Sequence, residues 1–189
     1  MMNDSYQMIT NKQSGNPEVD GKLIHLVDPL HEKYTVAYDI KGQGDDMTYN
    51  VQEYDHRPTT KEIVDLLSSV FNGECDEEIL TGSLYTTLED EPVTKPLYLS
   101  QENQFNWATG FLLTNALGGA NLPEYIKIGD DDDFYIYKIE TLDQYKHFVL
   151  HVLTHIKTCL NKCWQKKANI DLSKYTLDDE EWGDGDGED

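Results

Sequence analysis

The sequence predicts an α+β fold in which small antiparallel sheets are packed by helices in two small lobes, followed by a disordered acidic C-terminal tail. Two observations carry this expectation. Short β-branched and aromatic runs are bounded by turn residues, and three other stretches repeat apolar residues at helical spacing. The chain has 189 residues, 38% of them hydrophobic, with 12 Tyr, 5 Phe and 3 Trp, which suffices for a core in one domain or two small ones.

Residues 1–20 carry Asn, Ser, Gln, Gly and Pro with little apolar periodicity, and are expected to form a flexible N-terminal arm. Residues 23–27, 34–40 and 47–54 read as three strands of a meander, with the turn cluster 42–46 before the last. Thr59 and Glu62 can form a capping box, and Ile63, Val64, Leu66, Leu67, Val70 and Phe71 then make one helix face. Asn72 and Gly73 read as the end of that helix. Between residues 74 and 100, acidic clusters flank short apolar pieces broken by Gly82, Pro92 and Pro96, giving one or two short strands.

Ser100 is a good N-cap for a helix through Phe105, Trp107, Ala108, Phe111, Leu112, Asn115 and Ala116, which Gly118 and Gly119 terminate. Residues 125–128 and 134–137 flank the sequence Gly129-Asp130-Asp131-Asp132-Asp133 and read as a hairpin with an acidic connection. Thr141 with Gln144 can box the start of a long helix reaching Ala168, with Leu142, Tyr145, Val149, Val152, Leu153, Ile156 and Leu160 facing inward. The resulting division is an arm at 1–20, an N-terminal α+β lobe at 21–96, a helix, hairpin and long-helix domain at 97–175, and an acidic tail at 176–189.

Lys and Arg number 15 against 36 Asp and Glu, a net charge of -21. Such a surface disfavours phosphate backbones and anionic membranes, so no direct nucleic-acid or membrane partner is expected. The last 12 residues hold eight acids and no base, yet removing them leaves -13, so the folded part is acidic too. No stretch approaches the roughly 20 apolar residues of a membrane span, and the start lacks a basic region leading into an apolar one. A soluble cytosolic chain is expected, with Cys75, Cys159 and Cys163 as reduced thiols.

The most chemical feature is the series His147, His151, His155, Cys159 and Cys163, spaced by four on one expected helix. Neighbouring members could offer imidazole or thiolate ligands to a borderline metal. Successive fours drift by about 40 degrees, however, so five members spiral around the helix and cannot share one ion. The expectation is therefore no metal site, with the histidines bordering an apolar stripe and the cysteines packing as small hydrophobes. Neither the acidic connection at 130–133 nor the Gly-Asp tail completes a calcium loop. Cys75 or a serine can be drawn beside a histidine, but no nucleophile elbow or phosphate-binding glycine loop is present, so no catalytic residue and no cofactor is expected. Tyr125, Phe134, Tyr135 and Tyr137 lack the positive groove of a base-stacking sheet, so core and sheet-face packing is their expected role.

The residues from Ser100 to Trp107, then Asn121-Leu122-Pro123 leading to Lys127-Ile128-Gly129, an aromatic strand, Phe148, and His155-Ile156 through Cys159-Leu160 to Trp164, Lys167 and Ile170 form a recognisable order. This order resembles a C-terminal domain of unknown function in bacteriophage and prophage tail-region proteins, over about residues 97–175. Cys163 stands where the resemblance leads one to expect Gly, and the tail beyond Tyr175 looks added. The resemblance implies a non-enzymatic phage structural or assembly protein, a tail- or fibre-associated component of the virion that passes through the host cytoplasm during assembly. Its partners would be other phage structural proteins, with a homo-oligomer possible. The alternative is an acidic inhibitor that presents carboxylates in place of phosphates to a host DNA- or RNA-handling protein.

Overall fold

In the computed structural model, residues 11–176 are described, and they form eight strands and three α-helices in an α+β arrangement. The chain divides into two compact units. Among the described residues, one comprises residues 11–70 together with 167–176, and the other comprises Phe71–Lys166. The boundary expected at 96/97 falls inside the second unit.

The first unit is built on a four-stranded antiparallel sheet. Strands β2 (Ile24–Asp28), β3 (Lys33–Lys41) and β4 (Thr48–Tyr54) form the expected meander, and β1 (Asn11–Ser14) adds itself beside β4 with Asn11 opposite Val51. Residues 11–14 belong to the stretch expected to be a flexible arm. The polar sequence hides the strand because a sheet edge is held by backbone hydrogen bonds and needs no apolar face. Residues 1–10 and the acidic tail beyond 176 lie outside the described residues.

Helix α1 (Thr60–Thr81) contributes Ile63, Leu66 and Leu67 to a core with Leu23, Ile24, Val36, Ala37 and Tyr38. Its start is the expected capping box: the Thr59 N–H donates to Glu62 Oε2 at 2.8 Å, and the Glu62 N–H donates to Thr59 Oγ1 at 3.2 Å. The Thr59 N–H and then its hydroxyl, both donating to Glu62 Oε2, hold the Glu62 carboxyl below its ordinary pKa. Tyr175 closes the same core, its hydroxyl donating to the Ala37 carbonyl at 3.2 Å, while the Leu23 N–H donates to the Lys174 carbonyl. Burial pushes the Tyr175 phenol up to about 12.

Asn72 and Gly73 do not end α1, which runs on to Thr81. Glycine costs a helix interior only about 1 kcal/mol, and here burial of Cys75 offsets it. The helix stops at Gly82, whose φ of 72° turns the chain out of the helix and whose backbone so closely approaches the Leu97 carbonyl that no Cβ fits.

The second unit contains two hairpins and two helices. Strand β5 (Ser83–Thr86) pairs with β6 (Thr94–Leu97), and β7 (Glu124–Gly129) pairs with β8 (Phe134–Ile139) around the acidic connection. In the β7–β8 hairpin, Ile126, Ile128, Tyr137 and Ile139 are buried, while Tyr125, Lys127, Phe134 and Ile136 face outward, as strand alternation requires. Helix α2 (Gln101–Ala116) begins at Ser100, whose hydroxyl accepts from the Asn103 N–H. Helix α3 (Leu142–Ala168) begins at Thr141, boxed with Gln144.

Tyr85, Phe148, Tyr145, Leu97, Leu99 and the inward residues of the β7–β8 hairpin form one core. The Tyr85 ring meets Phe148 edge-on at 5.2 Å, and Trp107 meets Phe148 edge-on at 4.9 Å. Cys75, Cys159 and Cys163 form a smaller cluster with Phe71, Ile79 and Leu160.

Candidate functional site

The His and Cys series does lie along α3, where the three histidines meet three different groups and only His155 and Cys159 meet each other, Cys159 Sγ lying 3.6 Å from His155 Nε2. His147 Nδ1 lies 3.0 Å from the Tyr85 hydroxyl, His151 Nε2 lies 2.9 Å from Ser83 Oγ, and His155 Nε2 lies 3.1 Å from the Glu78 carbonyl. Cys159 and Cys163 are buried free thiols, and Cys163 donates to the Phe71 carbonyl at 3.5 Å. The histidines thus join α3 to β5 and to the end of α1, and the cysteines fill the space beside them. Among the described residues, no three His, Cys, Asp or Glu side chains come together as a metal site.

Ser83 and His151 are the one serine and histidine pair that the described hydrogen bonds bring together. Nucleophilic catalysis also needs a group that orients the base and donors for an oxyanion. The His151 imidazole is held below its ordinary pKa by burial and then by His155 and His147, the reverse of what a carboxylate partner would do. Burial likewise raises the thiol pKa of Cys75, with Cys163 adding to it, which keeps the sulfur protonated and unreactive.

The acids of the β7–β8 connection and of the end of α1 are interleaved with lysines. Lys95 pairs with Asp133, Lys127 with Asp131 at 2.6 Å, Lys162 with Glu78 at 2.8 Å and Lys166 with Glu74 at 2.6 Å. The Tyr98 hydroxyl donates to Asp130, and the Tyr135 hydroxyl to Glu89. Lys127 holds the Asp131 carboxyl below its usual range by a hydrogen bond.

A different surface stands out on α2. Trp107, Gly110, Phe111 and Thr114 turn inward: Trp107 and Phe111 pack on the core, Thr114 is fully buried, and a Cβ on Gly110 would overlap the Tyr145 hydroxyl. The opposite side is also apolar. Phe105 is 70% exposed and Leu112 is 67% exposed, and residues seven apart share one helix face. Leu113 and Leu117 are at least half exposed beside them. A groove of about 360 Å³ runs along the N-terminal half of α2, lined by Phe105, Trp107, Ala108, Val152, Leu153 and Ile156, among others. A helix apolar on two sides is the mark of one buried on two sides.

Sequence periodicity identified α2 but not its outward apolar face. The signal was present in the charge pattern: residues 103–123 contain no Asp, Glu, Lys or Arg in a chain that is 27% charged. Exposed apolar surface concentrated in one place marks an interaction site more often than scattered hydrophobes do. No family model, curated protein or solved structure matches this chain.

Proposed function

We propose that this protein is a non-enzymatic bacteriophage structural or assembly protein, associated with the tail or fibre and acting through protein–protein contacts. The observation that carries the reading is the outward face of α2, with Phe105 and Leu112 exposed inside a charge-free run of an otherwise acidic chain. A face of this kind gains from burial against another protein and offers nothing to a phosphate or a cationic ligand. The order of residues over about 97–175 that resembles phage tail-region proteins supports placing that contact in a phage particle. The separate engagement of His147, His151 and His155, and the raised thiol pKa of Cys75, support a role without catalysis.

The lysines paired with Glu74, Glu78, Asp131 and Asp133 weigh against the reading as a phosphate mimic, because they neutralise four of the carboxylates that such a mimic would present. The test is mass spectrometry on purified particles of the encoding phage, with crosslinking to identify neighbours. Stoichiometric recovery beside tail or fibre proteins is expected of a virion component. Recovery only with unassembled tail proteins would reduce the reading to an assembly factor, and capture of a host nucleic-acid-handling enzyme instead would overturn it.

A further inference from the structure

We propose that a groove between β6, β7 and the start of α2 binds a proline-rich extended segment of a partner protein, with a basic residue at the end of that segment nearest the acidic β7–β8 connection. Tyr98, Trp107 and Tyr125 line this groove, with Pro96 and Asn103 beside them, in a volume of about 350 Å³. Phe105 and Leu112 take no part in it, so the inference stands apart from the outward face of α2 and goes beyond it. The rings decide the class of ligand. Tyr125 is 62% exposed, Tyr98 is 45% exposed, and Trp107 is half-buried between the core and the groove. Three aromatic side chains around one groove offer flat apolar walls with polar tips, the kind of surface on which a polyproline II helix docks. That helix makes no internal hydrogen bonds, and its prolines bring carbonyls without N–H groups, so a site for it needs donors. The Tyr125 hydroxyl and the Trp107 indole N–H supply them: neither has a protein partner among the described residues, and neither is sealed from solvent. A further β-strand is a poorer occupant, because Pro96 lacks the N–H that a strand added to β6 would need.

Charge sets the direction of the segment. Gly129 brings the groove to the β7–β8 connection, where the Tyr98 hydroxyl donates to Asp130. Asp130, Asp131, Asp132 and Asp133 stand there against two lysines, Lys127 paired with Asp131 and Lys95 with Asp133. Four carboxylates against two ammonium groups leave this end negative by two, and Asp132 is exposed with no ion-pair partner among the described residues. An arginine or lysine following the prolines is attracted to that end, and an acid is repelled from it.

The test is a titration of the isotope-labelled full chain followed by nuclear magnetic resonance. The probes are a polyproline peptide ending in arginine, the same peptide ending in glutamate, and a Gly-Ser peptide of equal length ending in arginine. The Trp107 indole resonance should move saturably with the proline peptides. The arginine form should bind about fivefold more tightly than the glutamate form, the worth of one good exposed ion pair, and high salt should erase that preference. Tyr125→Ala, at an exposed position, should weaken binding by more than about tenfold with the circular dichroism unchanged. Should that variant unfold, Asp132→Asn decides, since it should shrink the preference for arginine over glutamate while leaving binding of polyproline in place. No saturable shift with either proline peptide, equal binding of the Gly-Ser peptide, or an unchanged preference in Asp132→Asn overturns the proposal. Saturation of the same resonance by a neutral glucose oligosaccharide, with none by the proline peptides, would assign the groove to a sugar and overturn it as well. The reading of α2 as a contact face is tested separately, by incorporation into particles, and survives each of these failures.

Discussion

Two glycines in helices of the second unit make opposite predictions about the same substitution. Gly73 lies inside α1 with open space where a Cβ would stand, so Gly73→Ala should stabilise the protein by about 0.4–1 kcal/mol by restricting the unfolded chain. Gly110 lies inside α2 with the hydroxyl of the fully buried Tyr145 in that place. Gly110→Ala should therefore destabilise by about 1–3 kcal/mol, the usual cost of overpacking. Urea unfolding of the two variants checks both signs. At the cysteines, burial keeps all three sulfurs out of reach, and it raises the pKa of Cys75 and Cys159. A colorimetric thiol reagent should find none of the three in the native protein and all three in denaturant. Rapid labelling of one cysteine in the native state would contradict the packing described for that cluster.

Each helix carries its start in its sequence, because caps are local chemistry. Thr59 with Glu62, Ser100, and Thr141 with Gln144 all make the bonds their spacing implies, and Thr59→Ala should cost about 1 kcal/mol in an unfolding titration. Helix ends were less legible. Asn72 and Gly73 look like a stop, but the continuation depends on Cys75 meeting Cys159 and Cys163 from more than 80 residues away, a contact no local pattern encodes. Strand β1 was hidden for a related reason, since its pairing with β4 runs along the backbone, with one side-chain bond from the Tyr49 hydroxyl to Gln13, and it has no apolar pattern to read. On α3, the spacing of the histidines was plain and their partners were not: Ser83 and Tyr85 come from a strand that begins after α1. His151 gives the element a pH dependence of definite sign. Its folded-state pKa lies below 6.5, so the unfolded chain takes up the proton first as pH falls. The stability it contributes is complete above about 6.5 and is lost as pH drops from there toward the lower folded value. His151→Gln should flatten the decline in stability between about pH 7 and 5 measured by thermal unfolding.

At the scale of the whole chain, the fold class was readable and the partition into units was not. Alternating strands and periodic helices announce α+β, but Tyr175 returns to the core of the first unit, and its hydrogen bond to Ala37 spans 138 residues of sequence. The proposed contact surface was half legible. The helical pattern expected over α2 held residues of both sides without separating them: Trp107 and Phe111 meet the core, whereas Phe105 and Leu112 are exposed. Only the exposure of Phe105 and Leu112, set beside the absence of charge from 103 to 123, makes the outward side conspicuous. What sets this side apart from the other exposed apolar residues is that it lies within a run without a charged residue in a strongly acidic chain. The measurement that tests the proposed contact most directly compares particles assembled with the natural chain and with the Phe105→Glu, Leu112→Glu variant, quantifying the protein in each by mass spectrometry. The account predicts stoichiometric incorporation of the natural chain and loss of the folded variant. Equal incorporation of both, or absence of the natural chain from particles and from their unassembled tail components, would contradict it.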